Sequence, residues 1–383
     1  MRVLVDCYDL IRGRGLSTGI FNYAVHLTRA LACIAEAHGI EITLICNEQN
    51  AEEFSVGASG LHVEVVDQGP RNKIEKVGWD IRRAARALRA FGADTYFSPR
   101  GFVPLGIDRY IDDVVITVHD MIPFYYSRHC ASALATIENR YVTTRLIQSV
   151  KRARLVVTVS ECSALAIKSF SGRTEGIEVI HNGVRKLDVA PASSKPHIFA
   201  MASALRHKNL DGVVRGYSAY VRLVGESALP LTVCGATLND CARWTDDHKV
   251  LAKVRCLIGV SDEELDQLYA SCAAFLFLSR VEGFGFPPLE ALQAGASVIA
   301  SDIPAHREIL GTMCEFVDAE DSAAIGLAIA VTVASARRTA RTSVDAILAQ
   351  YSWQNCAQRF LRALKGDLRG VHTPCDARFN SEA

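Results

Sequence analysis

Phe275-Leu-Phe-Leu-Ser279, running into Arg280-Val-Glu-Gly-Phe-Gly-Phe-Pro-Pro-Leu-Glu-Ala-Leu-Gln-Ala-Gly295, is the stretch whose reading decides the fold. Its apolar opening reads as a buried strand. A loop with Gly283 and Gly285 follows, and a helix starts near Pro287, since proline suits a first turn whose N–H groups lack helical partners. Those free N–H groups and the positive end of the helix dipole can hold an anion, and glycine lets backbone approach a ligand closely. Two carboxylates flank this helix start, Glu282 in the loop and Glu290 in the first helical turns. Carboxylates repel phosphate, so both are assigned to hydroxyls. A ligand carrying hydroxyls and phosphates together fits, and nucleotide sugars do so well. Taken singly, Glu290 merely complements a helix dipole and Glu282 is a solvated loop residue; the specificity lies in the joint pattern.

Working outward, short β-branched runs bounded by polar or turn residues recur at 2–6, 40–45, 95–98, 113–118 and 155–159, then at 197–202, 231–234, 273–278 and 297–300. Helical periods separate them, through Tyr23, Leu27, Ala30 and Leu31, over 73–91 and over 210–224. Strands alternating with helices imply parallel sheets covered on both faces. The pattern pauses at a turn signal, Asn182-Gly183, and a linker-like Pro191-Ala-Ser-Ser-Lys-Pro196, then restarts. The expected fold is therefore α/β, with two doubly wound parallel-sheet domains facing a cleft, whose ligands lie beyond the carboxyl ends of the strands.

Length and composition are consistent with this: 383 residues exceed one ordinary core. Lys+Arg and Asp+Glu balance at 42 each, so no global field favours nucleic acid, and any anion site is local. The 12 cysteines are scattered, without a C-x-x-C pair, and Cys46 and Cys272 sit in apolar runs. Met1-Arg-Val-Leu-Val-Asp6 does not read as a secretory leader, so the expectation is reduced thiols in a cytoplasmic protein. No apolar run approaches the ~20 residues that span a bilayer. Asp112-Asp113 precedes a strand and Asp246-Asp247 sits in a polar loop, so no Asp-x-Asp motif stands where a metal-dependent transferase needs one. The expectation is no metal and no cofactor.

The opening stretch resembles the E-x7-E signature of glycosyltransferase family 4, retaining enzymes of the GT-B fold with two Rossmann-like domains. The resemblance extends over nearly the whole chain: Thr18-Gly-Ile20, Thr117-Val-His-Asp-Met-Ile-Pro123, Val159-Ser160 with Ser163, Val179-Ile-His-Asn-Gly-Val184, Val260-Ser-Asp-Glu-Glu-Leu-Asp-Gln-Leu-Tyr269, Ala300-Ser-Asp-Ile-Pro304 with Glu308, and Tyr351-Ser-Trp353. It implies an acceptor-side domain at 1–187, a donor-nucleotide domain at 196–350, a closing helix at 351–366 packed back on the first domain, and a tail at 367–383. By the same resemblance Glu290 bonds the donor ribose and Glu282 holds sugar hydroxyls. The backbone of Gly283, Phe284 and Gly285 then runs beside the transferred ring, and the amides of Leu289 and Glu290 face the distal phosphate. Ala204-Leu-Arg-His-Lys-Asn209 resembles the family's diphosphate clamp, with Lys208 as the usual lysine. Ala202 stands where many members carry an arginine, and Arg206 is the candidate substitute. Positive charge there would neutralise the departing diphosphate. His119 is placed near the sugar or the acceptor, as a hydroxyl partner with no role as general base. The glycine-rich loop with Gly13, Gly15 and Gly19 would lie over the diphosphate, and Arg12 and Arg14 could meet an anionic acceptor.

The likeness to the mannosyltransferase branch is strongest in Thr18-Gly-Ile20 and in His119-Asp-Met-Ile-Pro123. It makes GDP-mannose the leading donor, and an oligosaccharide or lipid-linked glycan of envelope polysaccharide the acceptor. A UDP-hexose or GDP-fucose is the alternative, since base selection lies in backbone near 256–260. The helix at 73–89 carries Lys73, Lys76, Arg82, Arg83, Arg86 and Arg89 and reads either as a solvated outer face or as a peripheral contact with the inner face of the membrane. Two other classes remain. A GT-B-shaped sugar-nucleotide epimerase would need acid/base carboxylates in the first domain, where no convincing pair is present. A non-catalytic sugar-nucleotide or glycan-binding subunit is favoured by Ala202 and opposed by the intact Glu282, Glu290 and Lys208.

Overall fold

The computed structural model describes residues 1–13, 18–57, 60–129, 132–187, 196–335 and 341–367. Arg14, Gly15, the linker at 188–195 and the tail from 368 lie outside the described residues. The described strands form two wholly parallel sheets. The first has the order β3-β2-β1-β4-β5-β6-β7, from β1 (Arg2–Asp6), β2 (Glu41–Cys46), β3 (His62–Val65), β4 (Thr95–Ser98), β5 (Asp113–Val118), β6 (Leu155–Thr158) and β7 (Ile177–Val179). The second has the order β10-β9-β8-β11-β12-β13, from β8 (His197–Met201), β9 (Leu231–Cys234), β10 (Val254–Leu257), β11 (Cys272–Phe277), β12 (Val298–Ser301) and β13 (Glu315–Val317).

Strand order reverses between β1 and β4 in one sheet and between β8 and β11 in the other. At such a switch point neighbouring loops leave in opposite directions and open a crevice. The loops that follow β8 and β11 carry Lys208 and Glu282, so the two motifs of the second half meet because of topology.

Interior strands read correctly because they are buried on both faces: β4, β6 and β12 are buried at every residue and rich in β-branched, aromatic and small residues, with polar side chains confined to their ends. The edge strands β3, β10 and β13 escape sequence reading because they are short, half-exposed and partly polar. The expected helix over 73–91 is helical but broken. Lys73–Gly78 passes into a π-turn at Trp79–Arg83 before Ala84–Leu88 resumes. The break coincides with Trp79, only 2% exposed and stacked on Tyr8 at 3.7 Å, and with Asp80 bound to the buried Arg100.

The final helix, Trp353–Lys365, belongs to the first core, packing Phe360, Leu361 and Leu364 with Tyr23, Leu27 and Val5. Gly183 is where it enters. A Cβ there would lie 2.3 Å from the Trp353 nitrogen, so glycine is required by close approach, and its φ is not positive. The turn signal at Asn182-Gly183 thus marks a contact of backbone on backbone.

Candidate functional site

Beyond β8 the chain passes through the single turn Arg206–Lys208 into the helix Leu210–Val224. The junction is Asn209, whose φ of 54° makes it the one non-glycine residue with left-handed backbone among the described residues. Its side-chain amide donates to the carbonyls of Leu278 and Ala319, while its Oδ1 accepts from the Gly212 amide. Arg280 braces the same turn, donating to the carbonyls of His207 and Arg206 and to the Asp211 carboxylate.

So held, Lys208 reaches across to the loop after β11. Its Nζ donates to Glu282 at 2.6 Å and lies 5.7 Å from the Phe277 ring centre. Burial pushes the Glu282 carboxyl up, but the Lys208 ammonium outweighs it, and the group ends below the ordinary glutamate range. Arg206 does not join them: its side chain is exposed and bonds to none of the described residues. Ala202 is 3% exposed in the core, so the turn does not rebuild the two-cation clamp.

The other wall of the crevice is the end of β5. A Cβ on Gly283 would lie 2.0 Å from the His119 carbonyl oxygen, so the second-domain loop rests directly on first-domain backbone. His119 Nε2 bonds the Pro99 carbonyl at 2.7 Å. A carbonyl only accepts, so Nε2 holds the proton and Nδ1 is left as an acceptor. Burial lowers the ring to about 4, so it is neutral at ordinary pH. Its neighbour Asp120 is raised to about 6 by burial, which the Ile122 amide only partly offsets, with Glu282 adding repulsion.

Gly285, at φ 87°, leads the chain into the helix Phe286–Gln293, with Pro287 and Pro288 in its first turn. Phe284 is 4% exposed and its ring packs on Phe286 and Tyr351, so it offers the crevice only backbone. Leu289 is fully buried and likewise contributes its amide alone. Gly19 lies in the first turn of the helix Thr18–Ala32, whereas the sequence reading put it in the loop before that helix. His306, unmarked in the sequence, has Nδ1 on the Ser301 carbonyl and a buried Nε2 with no hydrogen-bond partner among the described residues.

Glu290 is largely embedded, 9% exposed. Its Oε1 accepts from Arg185 Nε at 3.0 Å and its Oε2 from the Tyr269 hydroxyl at 3.1 Å. Burial raises its carboxyl above the ordinary range, against the pull of Arg185. The two terminal nitrogens of Arg185 bind Asp266. None of these three partners is signalled in the sequence as a site residue. Arg185 lies in the aperiodic strap between the sheets, where no spacing marks it.

Two family models divide the chain at this strap. Residues 17–186 match "Glycosyltransferase Family 4" and residues 186–341 match "Glycosyl transferases group 1". The O-antigen chain mannosyltransferase RfbU of Salmonella typhimurium is 30% identical over 315 residues, covering 79% of this chain and 84% of that protein. The O-antigen chain mannosyltransferase B of Escherichia coli is 25% identical over 91% of this chain and 96% of its own. Among solved structures, sucrose-phosphate synthase from Thermosynechococcus elongatus superposes with a TM-score of 0.76 at 16% identity, over 95% of this chain and 98% of that one, which shows the shared GT-B fold. A crevice at two facing switch points, the Glu282–Glu290 pair around a helix start and the relatives just described make this chain a member of glycosyltransferase family 4.

Proposed function

We propose that this glycosyltransferase moves mannose from GDP-mannose, with retention of anomeric configuration, onto an oligosaccharide or lipid-linked glycan of a cell-envelope polysaccharide. The observation that carries the reading is the Lys208–Glu282 pair at the second switch point, facing a neutral His119 across the crevice. Its mannosyl relatives support the sugar. When donor enters, Lys208 and the positive end of the helix at Phe286–Gln293 neutralise the diphosphate. Glu282, released from Lys208, and His119 Nδ1 accept hydrogen bonds from sugar hydroxyls. Glu290 accepts from the ribose.

Chemistry then needs no protein nucleophile. The bond from the anomeric carbon to the phosphate oxygen breaks as the acceptor oxygen adds on the same face. The acceptor's hydroxyl proton passes to the departing phosphate, giving GDP and the new glycoside. The enzyme contributes position and charge stabilisation, and the reading requires neither metal nor cofactor.

The reading also includes a peripheral membrane contact at the cytoplasmic face. Ile74 and Ile81, 83% and 40% exposed, share one broken helical stretch with the exposed Arg86 and Arg89, an apolar and basic combination suited to anionic lipid. No described helix is long and apolar enough to cross a membrane.

The test is GDP release from GDP-mannose, with UDP-hexoses and GDP-fucose as parallel donors. Turnover that Glu290→Ala and Lys208→Ala both strongly reduce is expected. Release from a UDP-sugar alone overturns the donor assignment, and no turnover with any donor overturns the enzymatic reading.

A further inference from the structure

Glu290 is half engaged by the protein itself. An ionised carboxylate offers about four lone-pair directions, two on each oxygen. Arg185 Nε takes one on Oε1 and the Tyr269 hydroxyl one on Oε2, so each oxygen keeps one free acceptor site. Two adjacent free acceptors match two adjacent hydroxyl donors, the pattern of a ribose diol.

Arg185 has no other direction in which to turn. Its terminal nitrogens are fixed on Asp266, and its own carbonyl accepts from Gln293 Nε2 at 2.9 Å. Two residues on, the Leu187 amide donates to Gln293 Oε1 at 2.7 Å, while the Val184 amide donates to the Tyr351 carbonyl. The strap that enters the second domain is thus fastened at both its backbone and its side chain to the one helix that carries Glu290.

We propose that Arg185 is a positioning residue of the donor site, holding the Glu290 carboxylate in the one orientation that reads vicinal ribose hydroxyls and tying that reading to the interdomain strap. The inference rests on Glu290 being the ribose contact. Electrostatics agree with the geometry: burial raises the Glu290 carboxyl, and Arg185 is the largest force opposing protonation. Without Arg185 the carboxyl would face Asp266 uncompensated and take up a proton. That converts an acceptor site into a donor, which a ribose hydroxyl pair cannot use in the same way.

The probes are GDP and 2′,3′-dideoxy-GDP, or the uridine pair if the donor test selects uridine, titrated calorimetrically into the full chain. The intact protein should prefer the ribose form by about tenfold or more, as expected for losing hydrogen bonds to a charged group. Arg185→Ala should reduce that preference to less than about twofold while binding the dideoxy form as the intact protein does, because the lost term is ribose-specific. Arg185→Gln, which keeps bulk and donors but cannot bridge two carboxylates, should show the same collapse and serves if the alanine variant does not fold. A preference retained in both variants overturns the proposal. So does an equal loss for both ligands, which is what a merely structural arginine would give. Glu290→Gln separates the two layers: no change in preference there sinks the ribose reading itself, whereas a collapse in Glu290→Gln with none in the Arg185 variants sinks this inference alone.

Discussion

Lys208 and Glu282 are each other's counter-ion before any ligand arrives, at 2.6 Å and largely shielded from solvent. Removing the lysine therefore does two things at once. It takes away the cation that would meet the diphosphate, and it leaves a buried carboxylate without compensation. Lys208→Ala should lower kcat/KM by roughly 10²–10³-fold, the scale seen for removing one preorganised charge stabiliser, and Lys208→Arg should recover part of it. A steady-state comparison with less than about threefold loss would remove Lys208 from the mechanism. Asp120 supplies a second prediction at this scale. Burial raises its carboxyl from the ordinary 3.8 to about 6. A carboxyl whose folded value is raised favours the folded state at low pH, and that contribution is lost as pH rises from 3.8 through about 6. Asp120→Asn should therefore be more stable than the parent by ~1–3 kcal/mol at pH 8 and equal to it near pH 4. Thermal melts at the two pH values read the difference directly; a gap at pH 4 that persists or grows contradicts the sign.

Among elements, the helices Leu210–Val224 and Ser322–Ser335 approach closely through glycine on both sides. A Cβ on Gly216 would lie 2.2 Å from Ile325 Cγ2, and one on Gly326 would lie 2.8 Å from the Tyr220 backbone nitrogen. Side chains can shift and backbone cannot, so Gly326→Ala should cost more than Gly216→Ala, about 2–3 against about 1–2 kcal/mol of overpacking. Denaturant midpoints for the two variants test the order. This packing was not legible in the sequence, because a glycine in a helical period looks the same whether it faces solvent or a neighbouring helix. What was legible followed burial. Interior strands such as β4 and β6 are buried at every position and built mostly from β-branched, aliphatic and aromatic residues, so they announce themselves, whereas β3, β10 and β13 face water on part of their length and blend into loops. At the site, Lys208, Glu282, Glu290 and His119 stood out through local motifs. Arg185 did not, since its partners Asp266 and Glu290 are brought to it only by the fold. Arg206 is the opposite case: a basic residue beside a motif whose side chain is exposed, while Lys208 in the same single turn meets Glu282.

Across the whole molecule, the two domains meet through a small set of unlike contacts. Gly283 sits on the His119 carbonyl, Tyr126 bonds His207 at 2.9 Å, and Glu308 of the second domain caps a helix of the first. Glu308 is the most directional of these. Its oxygens accept from the amides of Glu161 and Cys162 at 2.8 and 3.1 Å, at the start of the helix Glu161–Ser171, and one also meets His181 Nε2 at 3.0 Å. A carboxylate at a helix N-terminus gains from unpaired amides and from the dipole together. Here that gain exists only while the crevice is closed, because the carboxylate and the amides belong to different domains. Lys208, Glu282 and Glu290, the proposed donor contacts, all lie on one side of the crevice, whereas His119, the proposed sugar contact, comes from the other. Glu308→Ala should therefore separate binding from catalysis: GDP affinity within about twofold of the parent, kcat/KM lower by about tenfold or more, and a larger radius of gyration by small-angle scattering. Gly283→Ala, which drives a methyl into the His119 carbonyl, should open the same crevice by wedging it and give the same signature. If either variant instead weakens GDP binding in proportion to turnover, the contact serves the nucleotide site alone and closure is held by something else.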